Sequence, residues 1–359
     1  MEVKKHSLPD RNSMIGGLAY DPRVNCVWLG LANSLDFVTR YDLGGNAFVA
    51  EQANAHLSGY SYIHRSLVPA PDGRLYCGVS WVLGAAPKPT KPTPLSPGGF
   101  GAVLAMVRYL GGLLSTCRIL YRESDGSWHR LADGKTMSAD LHWDPTRRKL
   151  LRLSAQGISG FGETGVEEMI APTLKGFVHE LCVGPGGELV QVDDEGDCFL
   201  LDASAKNKVK LGSLQDTSED AHAAPGIDAL VAVGPHLLVG GTRNRARPFV
   251  IDLRVPSLQL LPPVPTAPRA SAFAVSPSGK VYFAAGVGEV GLYALDPEKS
   301  TVEAIGRIAA DGVPCHHLHD LVITQDGRLF GGEFFPLDVP RPPWPDRPCY
   351  LWEMGPVPV

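Results

Sequence analysis

No two of the seven cysteines form a CxxC pair, and their number is odd. That argues against a zinc-finger arrangement, and the cysteines cannot all be joined to one another. Most sit inside apolar runs, where a free thiol behaves as a small hydrophobe. The chain also lacks a stretch able to span a bilayer. Its longest apolar run, Phe100 to Leu114, is broken by Arg108 and by glycines. The first residues, MEVKKHSLPDRNSM, have no apolar core of signal-peptide type. The expectation is a reduced, cytoplasmic protein, or a secreted one if a signal was trimmed. Positive charge is in deficit: Lys and Arg number 33 against 38 acids, a net charge of −5. With no basic helix, nucleic acid is not an expected partner, and neither is a membrane. Sustained helical periodicity is absent as well. So are the GxSxG elbow, HExxH and Gly-rich phosphate loops, which removes those classes of chemistry.

Turn residues are abundant. Forty Gly and 31 Pro are spread along the chain, as the turns of an all-β protein would be. One pattern recurs: an apolar strand, a turn with Pro, Asp or Gly, then a second apolar strand ending in small residues. It begins at Gly16, Arg65, Ala139, His179, Asp228, Ser271 and His319. Aligned on the first strand, the apolar anchors are Leu18, Leu67, Leu141, Leu181, Leu230, Phe273 and Leu321. Apart from one longer step, from Leu67 to Leu141, the spacing is roughly 40–50 residues, that of a β-propeller blade. The expected fold is one all-β domain over residues 1–359, a seven-bladed β-propeller. The last repeat has a third strand, PCYLWEM, but no fourth; EVKKHSL at the other end supplies it and closes the ring. Insertions are expected at about 81–115 and 334–348. An irregular β-sandwich is the rival fold.

In a propeller the innermost strands all start at one face, beside the central channel. The residues just before each anchor then converge. They include Arg65, His179, Asp228 and His319, then Asp140, Glu180 and Asp320, with His64 and His317 just upstream. Convergent titratable groups are the default candidates for an active site. The same side chains in a non-catalytic propeller would simply line a wet channel. The loop GTRNRARP places Arg243, Arg245 and Arg247 on the same rim, and guanidinium suits carboxylate or phosphate. The insertions supply Trp81, Phe334, Phe335 and Trp344 as flat surfaces for sugar rings.

His, Tyr, Arg and acids together suit proton abstraction beside a carboxylate. A base removes the α-proton of a uronate, a cation neutralises the carboxylate, and an acid protonates the leaving oxygen. The segment GYSYIHRS supplies Tyr62, His64 and Arg65. His64, His179 and His319 are the candidate base and acid. Arg65 is the candidate neutraliser, with Tyr62 in second place. Arg243, Arg245, Asp228, Trp81 and Trp344 are the candidate substrate contacts. His317 and His319 project to one side of an extended strand. With His179 and an acid they are candidate ligands for Mn or Zn. A Ca site ranks lower, because no clear Asn–Asp set stands at the strand starts.

The layout HDL…DGR…GGE…YLWE, from His319 through Asp326–Arg328 and Gly331–Glu333 to Tyr350–Glu353, resembles the propeller-fold polysaccharide lyases. These include the ulvan and rhamnose–glucuronate lyases. The pair His317–Leu318–His319 is similar to the HxH metal pair of the oligogalacturonate lyases, although the glutamine of that pattern is absent around Val313 and Pro314. The resemblance implies β-elimination on an anionic, uronate-containing carbohydrate, with or without a divalent metal. The alternative is a non-catalytic propeller that binds a protein or glycan through this face.

Overall fold

The computed structural model describes residues 1–11, 13–34, 36–53, 61–82, 115–134, 136–178, 180–215, 226–243, 245–335 and 347–359. Among them there is no α-helix, and hence none long and apolar enough to cross a membrane. The strands form successive up-and-down antiparallel meanders. The first runs Met14–Asp21, Cys26–Ala32, Val38–Asp42 and Ala47–Ala50. A single bridge, Ala32 to Tyr62, joins it to Ser61–Pro69, Leu75–Val82, Ser115–Arg122 and Trp128–Gly134. Next come Asp140–Asp144, Lys149–Ser154, Gly157–Phe161 and Glu167–Pro172. Further on lie Gly226–Val233, Leu237–Thr242, Pro248–Asp252 and Ser257–Leu260, then Ala270–Val275, Val281–Ala285, Gly291–Asp296 and Thr301–Arg307.

The final sheet combines both ends of the chain. Leu318–Ile323, Leu329–Glu333 and Tyr350–Gly355 are joined by Glu2–Ser7, which pairs from Glu2 opposite Gly355 to Ser7 opposite Tyr350. The terminal strand is pinned by side chains as well. His6 Nε2 lies 2.8 Å from Glu353 Oε2, and Lys5 Nζ donates to Asp311 at 2.7 Å.

The meander between residues 181 and 213 departs from the sequence pattern. Only Leu189–Val192, Asp197–Leu201 and Lys208–Ser213 form its sheet. The expected first strand at Leu181–Val183 is reduced to one bridge, Val183 to Leu189. The Gly184–Gly187 turn takes the backbone bonds there: Gly184 N donates to Glu188 O and Gly187 N to Gly184 O. Upstream, Phe177–Val178 pairs in parallel with Gly226–Ile227 of the following meander.

Burial falls from the first strand of each meander to the fourth. Met14–Asp21 is almost wholly buried, whereas Thr301–Arg307 is almost wholly exposed. A strand covered on both faces reads as a continuous apolar run. The outer strands KVKLGS and TVEAIGR carry charges that discourage edge-to-edge pairing. The apolar clusters lie between neighbouring meanders. One joins Ala229 and Val239 to Phe273 and Phe283, and another joins Met14, Ile15 and Leu18 of the first sheet to Phe330 and Leu351 of the last. Each of the larger side chains (Val, Leu, Ile, Met, Phe) contributes about 1.5–3 kcal/mol by leaving water. The small residues that end the second strands set how closely the sheets approach. A Cβ on Gly332 would come within 2.5 Å of Ile15 Cγ2. All seven cysteines are free and buried.

Candidate functional site

The inner strands begin at a common end, and most of them carry a β-bulge there. Register shifts fall at Ile15/Gly17, Ile63/Leu67, Ile227/Ala229, Ala270/Ala272 and Leu318/Asp320. The residues within these shifts are Gly16, His64–Ser66, Asp228, Ser271 and His319. They include most of the positions that the repeat singled out. A bulge re-aims a side chain or a carbonyl that a flat ladder would bind. Gly16 has to be glycine, because a Cβ there would lie 1.9 Å from Ile63 O.

Arg65 shows the effect most strongly. It has a positive φ of 47° inside its bulge, and its side chain is 3% exposed. Nη1 donates to Glu180 Oε2 at 3.0 Å and to Asp228 O. Nη2 donates to Ser271 O and, at 2.6 Å, to His319 O. One guanidinium from the second meander therefore ties together residues at the same end of four others, three of them in first strands. Nε has no partner among the described residues. The neutralising role expected of Arg65 would have to work through that one N–H, because its other four are directed at protein oxygens.

Three acids stitch adjacent meanders. Asp140 Oδ2 accepts from Leu181 N at 2.6 Å, and Glu180 Oε2 from Leu230 N at 3.1 Å. Asp320 Oδ2 accepts from Leu18 N at 2.7 Å, linking the last meander to the first. Each acid stands one residue before an anchor and bonds the anchor of the next repeat. Asp140 and Asp320 use their second oxygen on the following backbone N–H, Leu141 at 2.7 Å and Leu321 at 2.8 Å. At the same end of neighbouring sheets Arg269 holds Asp228 with two bonds, at 2.7 and 2.5 Å, and Ser271 Oγ donates to Leu318 O at 2.7 Å. The repeated acid–Leu dipeptides were the sequence signal for this stitching, although periodicity alone gave them no role. The substrate contact expected of Asp228 meets a carboxylate already held by Arg269.

These carboxylates crowd one another in a poorly solvated place. Burial pushes Glu180 up to about 7; Arg65 opposes the rise, and Asp320 and Asp228 add to it. Burial likewise raises Asp140 well above the ordinary range, and Asp320 above it. Each group thus binds protons more readily when folded than when unfolded. Their contribution to stability is complete below the unfolded carboxyl range and is lost as pH rises through the folded values. The urea midpoint is expected to fall between pH 6 and pH 8, and to fall less in Glu180→Gln.

Four aromatic rings form a closed set at this end. Tyr62 meets His64 at 5.6 Å between ring centroids, and His64 meets His319 edge-on at 4.6 Å. His319 meets Phe334 at 5.0 Å, and Phe334 returns to Tyr62 at 5.9 Å. His64 Nδ1 is bonded to Ala139 O, so Nδ1 carries the proton and Nε2 is the basic nitrogen. Phe334 and Phe335 are each 3% exposed, so they pack against the histidines and are not open platforms for sugars. His317 is fully buried, 6.2 Å from His319 between ring centroids. Burial, with Arg269 and Arg65 nearby, keeps its imidazole neutral.

The remaining expected residues are distributed around this end. Trp81 pairs through its backbone with Ser61, at the same end of the sheet as Tyr62. Arg243 and Arg245 are half-buried in the turn after Thr242, which pairs with Ile227 beside Asp228. His179 and Trp344 lie outside the described residues. Among the described residues no group of three or more His, Cys, Asp or Glu is placed to hold a metal.

Glu333 is a buried acid that the sequence reading treated only as part of a motif. It is 0% exposed and accepts from Arg347 at 2.6 and 3.0 Å, from His316 N at 2.8 Å and from Tyr350 N at 3.0 Å. It clasps the two ends of the second insertion together.

No protein-family model and no curated protein matches the sequence. Solved structures do resemble it. One is the extracellular domain assigned to a hybrid two-component system of B. thetaiotaomicron, with TM-score 0.63 and 10% identity. The match covers 97% of this chain but only 39% of that one. Another is the WD40 β-propeller domain of Doa1, with TM-score 0.58 and 9% identity, covering 97% of this chain and 95% of that one. At such identity the likeness is one of fold alone, and the fold it indicates is an all-β, propeller-like architecture.

Proposed function

We propose that the chain is a single seven-bladed β-propeller closed by Glu2–Ser7, and that its channel mouth is the active site of a lyase. The substrate is an anionic, uronate-containing oligo- or polysaccharide, cleaved by β-elimination. The observation that carries this reading is the His64–His319 pair, two imidazoles 4.6 Å apart with the tautomer of His64 set by Ala139 O. An imidazole titrates near neutral pH, as a base removing a carbon-bound proton must. Tyr62 stands beside the pair, and Arg243 and Arg245 lie at the same rim to receive the carboxylate. A metal on His317 and His319 is not needed for this chemistry. The resemblance of the HDL…YLWE layout to propeller-fold lyases points the same way.

A non-catalytic propeller that binds a protein or glycan is the second reading. The observation favouring it is Arg65, whose Nη groups are all bonded to protein oxygens. The test is to incubate the protein with a panel of uronate oligosaccharides and follow the ultraviolet absorbance of the unsaturated product. Activity is expected, and single His64→Ala and His319→Ala changes should lower it roughly 10²- to 10⁴-fold while the fold persists. Chelation with EDTA is expected to leave the rate unchanged. A folded protein that cleaves nothing in the panel would favour the binding propeller.

A further inference from the structure

Three serines, Ser66, Ser80 and Ser138, meet at the seam between the second and third meanders, and each is fully buried. Ser66 ends the bulge that carries His64 and Arg65, and Ser80 pairs with Tyr62 on the adjacent strand. Ser138 lies two residues ahead of the third meander's first strand, Asp140–Asp144. Ser66 Oγ donates to the carbonyl of His64 at 2.8 Å and lies 2.9 Å from Ser138 Oγ. A serine hydroxyl has one proton to give. That of Ser66 is spent on His64 O, so the proton between the two hydroxyls comes from Ser138. The other acceptor open to Ser138, Asp140 O, is farther away at 3.4 Å. Ser138 N donates in turn to Ser80 Oγ at 3.1 Å. Gly78 makes room for the pair: a Cβ there would lie 2.8 Å from Ser138 Oγ and 2.9 Å from Ser66 Cβ.

These bonds close a loop through His64. Residues 64–66 stand outside the ladder, since Ile63 pairs with Val79 and Leu67 with Cys77. Ser66 supplies a donor to the carbonyl that the bulge turns out of register. The imidazole of the same residue crosses the seam to Ala139 O, and Ala139 directly follows Ser138. Ala139 N is held by Leu153 O at 2.8 Å, which fixes that segment from the third meander's side. The loop therefore runs from His64 O through Ser66 and Ser138 to Ala139 O and back through the ring to His64. Backbone and side chain of one histidine are held against the same short segment.

We propose that Ser66 and Ser138 are positioning residues for His64. Their hydroxyl pair keeps the ring against Ala139 O and so keeps the proton on Nδ1, leaving Nε2 basic. The consequence for catalysis rests on the lyase reading above; the effect on the tautomer does not. Without the pair the bulge loosens, the ring leaves Ala139 O, and the proton is free to occupy Nε2, where that nitrogen is no longer a base.

The test compares the full chain with Ser66→Ala and Ser138→Ala. The control is Ser276→Ala, another buried serine, which bonds Lys280 N and Ser278 in a turn of the sixth meander. ¹⁵N NMR of the imidazoles at alkaline pH, with His64 assigned through its loss in His64→Ala, reads the tautomer directly. The wild type and Ser276→Ala are expected to show His64 protonated on Nδ1, and the two seam variants a mixture of tautomers. With a cleaved uronate oligosaccharide, kcat of the seam variants should fall roughly 10- to 10²-fold with KM unchanged. Should Ser66→Ala fail to fold, Ser138→Ala carries the test, since it leaves the Ser66 donor in place. A seam variant that is less stable but keeps the wild-type tautomer of His64 overturns the proposal and makes the serines structural only. If the wild type cleaves no uronate, the lyase reading falls; a tautomer shift in the seam variants then still upholds the positioning role, and its absence overturns that too.

Discussion

Replacing Arg65 with methionine is expected to lower the unfolding free energy by roughly 3–5 kcal/mol, the cost of removing one partner from a buried, hydrogen-bonded charge cluster. Methionine fills much of the volume but donates nothing. The carbonyls of Asp228, Ser271 and His319 lose their donor, and Glu180 keeps only Leu230 N. Asp140, Glu180, Asp228 and Asp320 also lose the cation at their centre. Arg65→Lys should lie between the two, since an ammonium restores the charge but not the flat fork that reaches opposite strands. Urea denaturation of the three proteins gives the comparison. An unchanged midpoint for Arg65→Met would show that the hub adds nothing to stability. A smaller loss than predicted, accompanied by higher carboxyl pKa values, would show the acids neutralising themselves by binding protons.

Glu333→Ala should have a comparable effect for a related reason. The substitution strands the Arg347 guanidinium, which is 17% exposed, and removes the acceptor of two backbone N–H groups. The expected loss is again roughly 3–5 kcal/mol. Its location is also predicted. Amide exchange at His316 and Tyr350 should quicken, while exchange in the Pro248–Asp252 strand should not. Glu333→Gln keeps an oxygen for one donor, and a milder change is expected. Uniform acceleration across the sheets would instead indicate global destabilisation without the local clasp.

The two sites differ in how far they could be read in the sequence. The hairpins were legible because a buried strand needs an apolar run and a tight turn needs Gly, Asp or Pro, both local requirements. Gly73 and Gly327, with φ of 94° and 81°, are such turns. The pairing of Glu2–Ser7 with Tyr350–Gly355 followed from a deficit in the last repeat and a surplus strand at the start. The starts of the inner strands were legible by alignment except at Leu181–Val183, where only one bridge forms, and the alignment also gathered His, Arg and acids near those starts. The first insertion, expected at about 81–115, has flanking strands that run to Val82 and resume at Ser115, so Trp81 belongs to a strand.

Side-chain direction at those starts was not legible. Arg65 and His64 sit in a bulge, where the two-residue alternation that assigns faces no longer holds. Whether Arg65 meets a substrate or the carbonyls of distant strands depends on residues 115 to 254 positions away. No local pattern encodes such partners. The burial of Phe334 and Phe335 was hidden in the same way, since a Pro-rich, aromatic segment reads alike whether it faces water or packs on His319 and His316. The sequence by itself determined most of the strands, the turns and the positions where chemistry gathers, because these depend on period and backbone preference; Leu181–Val183 is the exception. The tertiary structure decided which of the gathered groups hold the sheets together, as Arg65, Asp140, Glu180 and Asp320 do. That distinction depends on burial and on hydrogen-bond partners supplied by neighbouring meanders.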